Sequence, residues 1–157
     1  MGVATIQFTQ EQARGLTGVS IETIRHWRKV VPYLSSKPGK AARFSFADLL
    51  GLAVTQELVS AFGVRITNVG VGIDGLFRAL ADTRPGALEG AMAIVTTSKT
   101  YLVFANDLSG QQMIEPALAI ALDPLIGRLR RQMMPISPAH EQSTLPFPPR
   151  VLRGGQA

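Results

Sequence analysis

The sequence predicts an α+β fold: a mostly helical N-terminal unit over residues 1–81, a small α/β unit over 91–134 with a β-hairpin and a terminal helix, and a flexible proline-rich tail over 135–157. Three observations carry this. Helix-start signals followed by helically spaced apolar residues recur through the first half. Two β-branched and aromatic runs, Met92 to Thr97 and Thr100 to Ala105, flank Ser98-Lys99 as the two legs of a hairpin would. Five of the 10 prolines fall between 135 and 149, where a packed element has little room to form.

Element by element, Thr9-Gln10-Glu11-Gln12 is a capping box, so a first helix starts there, with Ala13 and Leu16 on one face. Gly18 suits the positive φ of a sharp turn, and Ser20 caps a second helix from Ile21 to Lys29. Ile24 and Trp27, three apart, form its buried stripe and leave Glu22, Thr23, Arg25, His26 and Lys29 outward. Two short helices joined by a glycine-bearing turn make a helix-turn-helix. From Val31-Pro32 to Phe44 the chain reads as a wing, a turn at Ser35 to Lys40 between short extended segments. Ser45 and Asp48 form a second cap, Phe44 and Leu49 a hydrophobic staple, and Phe46, Leu49, Leu50, Ala53 and Phe62 keep helical spacing up to Gly63. A fourth helix is expected from about Asn68, with Val69, Ile73, Leu76, Phe77 and Leu80 inward. Residues 82–90 read as a connection. Leu118 to Leu122 fits a third strand or a buried helix turn, and Asp123-Pro124 starts a last helix with Leu125, Ile126, Leu129 and Met133 on one face, which with the hairpin is the expected dimer surface.

Composition narrows the function. The chain has 157 residues, no cysteine and a net charge of +5. No disulfide framework, cysteine-ligated metal site or sensing thiol is therefore possible. No leader or uninterrupted apolar span is evident, so the expectation is a cytoplasmic protein with no membrane contact. Residues 1–43 carry seven basic against two acidic residues, a net +5; residues 44–127 carry four against eight; residues 128–157 carry five against one. A compact basic head points to a polyanion, which leaves nucleic acid, anionic lipid or an acidic protein open.

The basic head holds the candidate DNA contacts: Ser20, Glu22, Thr23, Arg25, His26, Arg28 and Lys29 on the second helix, and Lys37, Lys40 and Arg43 on the wing. A helix N-terminus beside phosphate and arginines able to bond in pairs supply anchoring and base reading. About five neutralised phosphates per protomer would give a log K against log salt slope of roughly −4 to −5. Thr17-Gly18-Val19-Ser20, Thr23-Ile24-Arg25-His26-Trp27, Val31-Pro32, and Gly39 through Arg43-Phe44-Ser45 before Asp48-Leu49 resemble the winged-helix DNA-binding domain of the MerR family over about residues 6–62. The resemblance implies a second helix in the major groove, with Thr23, Arg25 and His26 facing it, and Lys40 and Arg43 on phosphates. His26-Trp27 stands where that family has a tyrosine pair, and neither its long coiled-coil helix nor its cysteine-bearing loop is present.

Other signals are weaker. Gly70-Val71-Gly72-Ile73-Asp74-Gly75 matches a dinucleotide-binding spacing but lacks the strand before it and the acid beyond it. His26 and His140 are far apart and neither has a metal-ligand neighbour at useful spacing, and no catalytic motif organises the Ser, His and acidic residues. The expectation is a non-enzymatic, sequence-specific transcriptional regulator without cofactor or metal, a homodimer on a pseudo-palindromic site of double-stranded DNA. The alternatives are an antitoxin or accessory DNA-binding protein that captures a partner protein through its C-terminal domain or tail, or a recombination or architectural factor.

Overall fold

A computed structural model of the chain describes residues 6–38, 41–104, 107 and 115–134. It is α+β: α1 (Gln10–Thr17), α2 (Ile21–Val30), α3 (Pro32–Ser35), α4 (Phe46–Ser60), α5 (Ile66–Ala81), a 3-10 turn (Pro85–Leu88), β1 (Ala91–Val95), β2 (Thr100–Phe104), β3 (Leu118–Ala121) and α6 (Asp123–Met133). The expectations for Gly39, Lys40, His140 and the 135–157 tail lie outside the described residues.

The helix starts follow the local chemistry. Thr9 Oγ1 accepts from the Gln12 amide at 3.1 Å while Gln12 Oε1 accepts from the Thr9 amide at 2.8 Å. Two N–H groups that a helix end leaves orphaned are thereby satisfied. Gly18 closes α1 at φ +78, and Ser20 Oγ accepts from the Thr23 amide to open α2. Ser45 and Asp48 repeat the reciprocal cap at α4.

Several expectations need correction. The segment from Val31 to Phe44, expected to be a wing with extended flanks, opens instead on a helical turn, Pro32–Ser35. Proline fixes φ for a first helical position and pushes Val31 into extended backbone (φ −109, ψ 106), and the Val31 carbonyl then accepts from Leu34 and Ser35. The expected extended flanks reduce, among the described residues, to one bridge in which Phe44 pairs with Phe8 rather than with the other side of the wing. Phe62, expected to continue the helical spacing of the third helix up to Gly63, lies beyond the end of α4 and is 58% exposed. The fourth helix starts two residues earlier than expected, at Ile66, and is interrupted by non-helical Val69 (φ −121, ψ 15).

The hairpin and third strand form an antiparallel sheet in the order β2-β1-β3, with Val95 opposite Thr100 and Ile94 opposite Ala119. α4 lies at the centre, buried on nearly every side, and packs against α1, α5 and α6. α5 lies on β1 and β2. Nearly all the buried apolar residues form one cluster running from Ala13 and Trp27 through Leu52 and Phe77 to Ala93 and Leu129. The apolar face of α6, expected to dimerise, is therefore used within the chain: Leu125, Ile126 and Leu129 are buried beside α1 and α4.

The glycine run has a packing explanation. Gly70, Gly72 and Gly75 all lie within α5. A Cβ at position 72 would sit 1.9 Å from the Thr96 carbonyl oxygen, and one at position 70 would sit 2.8 Å from Val30 Cγ1. The missing side chains let α5 settle directly on the β1–β2 turn and on the end of α2, where Thr100 Oγ1 donates to the Gly72 carbonyl at 2.6 Å.

Candidate nucleic-acid interface

α2 divides into two faces. Ile24 and Trp27 are buried at 0% and 2% exposure, as their spacing anticipates. Glu22, Arg25, His26 and Lys29 are exposed, and Thr23 and Arg28 are half-buried. Ser20 is exposed at the N-terminus, where its hydroxyl caps the helix and donates to Thr23 Oγ1 at 2.8 Å. Among the described residues, Arg25, His26 and Lys29 have no side-chain hydrogen bond or ion-pair partner within the chain. An exposed helix face with two unpaired cations and a histidine is chemically equipped to meet phosphates and base edges.

The remaining basic residues separate into two kinds. Arg43 is exposed, and its guanidinium is steadied by the carbonyls of Ala41 (3.2 Å) and Ala42 (3.1 Å), which leaves other donors to face outward. Lys37 points inward instead. Its ammonium lies 2.9 Å from Asp48 Oδ2, donates to the Arg43 carbonyl at 3.0 Å, and stands over the Tyr33 and Phe44 rings. Arg28 reaches the same place, donating from Nη2 to the Lys37 carbonyl. The structure thus brings Arg25, His26 and Lys29 together on one exposed face and leaves Arg43 accessible, whereas Lys37 is withdrawn and Arg28 is partly engaged. Lys40 lies outside the described residues.

Sequence reasoning missed the polar network beneath this surface. Asp48, 2% exposed, was legible only as a cap. Its carboxylate accepts from the Ser45 amide, from Lys37 and from the Tyr33 hydroxyl at 2.7 Å. Burial, followed by the hydrogen bond to Asp48, raises the Tyr33 phenol well above the usual tyrosine range. The Tyr33 amide donates to Asp74 Oδ1 at 2.7 Å, and Arg78 Nε donates to Asp74 Oδ2 at 2.8 Å. A lone acid at a cap amid basic residues is a faint signal for Asp48. Nothing local marks Asp74, 41 residues from Tyr33.

Elsewhere, Arg128 pairs with Glu57 (3.4 Å) and Arg130 with Glu89 (3.2 Å), both exposed contacts of small energetic weight. A groove of about 490 Å³, lined by Phe62, Arg65, Asn68, Val95 and Leu118, runs beside β3. Among the described residues no three His, Cys, Asp or Glu side chains cluster as metal ligands, and no helix is long and apolar enough to cross a membrane. No protein-family model matches the chain, and neither a curated protein nor a solved structure is significantly similar to it.

Proposed function

We propose that the chain is a sequence-specific DNA-binding transcriptional regulator: α1, the Gly18 turn and α2 act as a helix-turn-helix of MerR-like kind, α2 enters the major groove, and the segment around Arg43 follows the adjacent backbone as a wing. The observation that carries this reading is the outward face of α2, where Arg25, His26 and Lys29 stand exposed opposite buried Ile24 and Trp27. Arg25 and Thr23 are the base-reading candidates, while Lys29, Lys40 and Arg43 are the phosphate contacts. With Lys37 withdrawn, these contacts neutralise about three phosphates per protomer, and log K falls with log salt at a slope of roughly −3. Replacing Arg25 and Arg43 together by Ala abolishes specific binding in a gel-shift titration while the melting temperature changes little. Unchanged binding by that double variant overturns the assignment.

So short a reading helix covers few base pairs, so the proposed regulator works as a symmetric dimer. With α6 packed inside the chain, the proposed dimer contact passes to the exposed Phe62 beside the outer edge of β3. A partner protein captured there, as in an antitoxin or accessory factor, is the second reading. Phe62→Glu converts dimer to monomer in light scattering if the contact is between copies; a purified wild-type chain that is already monomeric favours the second reading.

A further inference from the structure

Lys37 belongs to the basic head by charge, yet its geometry is that of a strut. Two of its three ammonium protons are directed at Asp48 Oδ2 and the Arg43 carbonyl, and the group sits over two aromatic rings with the side chain 19% exposed. Its own carbonyl holds Arg28 of α2. Asp48, its counter-charge, has a side chain only 3% exposed and is held in turn by the Ser45 amide and the Tyr33 hydroxyl. Tyr33 is tied through its amide to Asp74 of α5. A lysine that left Asp48 for a phosphate would strand a buried carboxylate without its cation, which is strongly unfavourable.

We propose that Lys37 and Asp48 form a positioning lock, which sets α2, through Arg28, and the Arg43 segment, through its carbonyl, in one fixed relation, so that both meet a DNA duplex together without Lys37 touching it. The inference rests on the DNA-binding reading above and assigns Lys37 a role different from the one its charge suggests. The lock also reaches α5, so the element lying on the β-sheet shares a hydrogen-bond chain with the DNA-facing segment.

The test uses the full chain and a fluorescent mixed-sequence DNA duplex, titrated by anisotropy at several salt concentrations and well below the melting temperature of every variant. Asp48→Asn removes a negative charge, so charge alone would tighten binding; the lock requires it to weaken by about tenfold, or 1.4 kcal/mol. Lys37→Met weakens binding to a similar degree with an unchanged salt slope, and the double variant is no weaker than either single one, because both remove the same lock. Tyr33→Phe, a milder change, weakens binding by a smaller factor. Tighter binding by Asp48→Asn, or a salt slope reduced by about 0.9 in Lys37→Met, makes Lys37 a phosphate contact and overturns the proposal. Hydrogen exchange in the DNA-free protein provides the separate readout. The lock requires faster exchange at the Ser45 and Lys37 amides in Lys37→Met, and unchanged exchange refutes it even if the wild-type chain binds no DNA, the result that would overturn only the DNA-binding reading.

Discussion

Identical residues in this chain carry opposite energetic signs, and only their surroundings decide which. Gly72 and Gly15 both lie in helices, but a Cβ on Gly72 would overlap the Thr96 carbonyl at 1.9 Å, whereas one on Gly15 meets nothing within 4 Å. Gly72→Ala is therefore expected to destabilise the chain by about 3 kcal/mol, the upper end for overpacking, since backbone cannot yield as a flexible side chain can. Gly15→Ala is expected to stabilise by about 0.5–1 kcal/mol through helix propensity. Urea unfolding of the two variants checks both signs. The glycines were visible in the sequence, but the carbonyl 24 positions along the chain that makes one of them indispensable was not. Tyr33 gives a pH prediction at the same scale. Its phenol is raised by burial and by Asp48, so the folded state keeps its proton where the unfolded state loses it. Stability is fully present below the ordinary tyrosine pKa of about 10 and declines as pH rises above it. Tyr33→Phe should flatten that alkaline decline in thermal melts; an identical decline would place its cause elsewhere.

Elements whose start is fixed by adjacent residues are the ones the sequence announces. Thr9 with Gln12 and Ser45 with Asp48 each mark a helix within three residues of where it begins, because a cap is a local hydrogen-bond solution, whereas Asp123-Pro124 marks α6 through the fixed φ of proline in its first turn and makes no side-chain cap bond. Ser45→Ala removes the acceptor for the Asp48 amide and is expected to cost about 1 kcal/mol, read as a lower urea midpoint at constant m value. The hairpin was legible for a similar reason, since two β-branched runs and a short polar break determine their own pairing. α3 was not legible. Four residues have no periodicity to read, and this turn is anchored by Asp48 and Asp74, 15 and 41 residues from Tyr33. The outward face of α2 was legible from Ile24 and Trp27 alone, but the inward turn of Lys37 depends on a carboxylate that the sequence offers only as a cap.

At the level of the whole molecule, the sequence suggests two units meeting near residue 90, and the packing bears on whether they are independent. α4 contacts α6 on one side and α1 and α5 on others, α5 rests on the sheet, and Leu88 in the connection is itself 1% exposed. A fragment ending at residue 81 would uncover the faces of α4 and α5 that α6 and the sheet now cover. Exposed apolar surface on that scale removes most of the burial that offsets chain entropy in so small a chain. The expectation is that the full chain unfolds in one step. Trp27, the single tryptophan, reports on α2 by fluorescence, while backbone dichroism reports on the whole molecule, sheet and α6 included. The two urea transitions should coincide, and the 1–81 fragment should show no cooperative transition of its own. A Trp27 transition displaced from the dichroism transition, or a fragment that melts sharply, would mean that the N-terminal unit folds alone. In that case the Asp74–Tyr33 link, which lies wholly within residues 1–81, would persist in the fragment, and the packing of α5 on the sheet and of α4 on α6 would be dispensable for its folding.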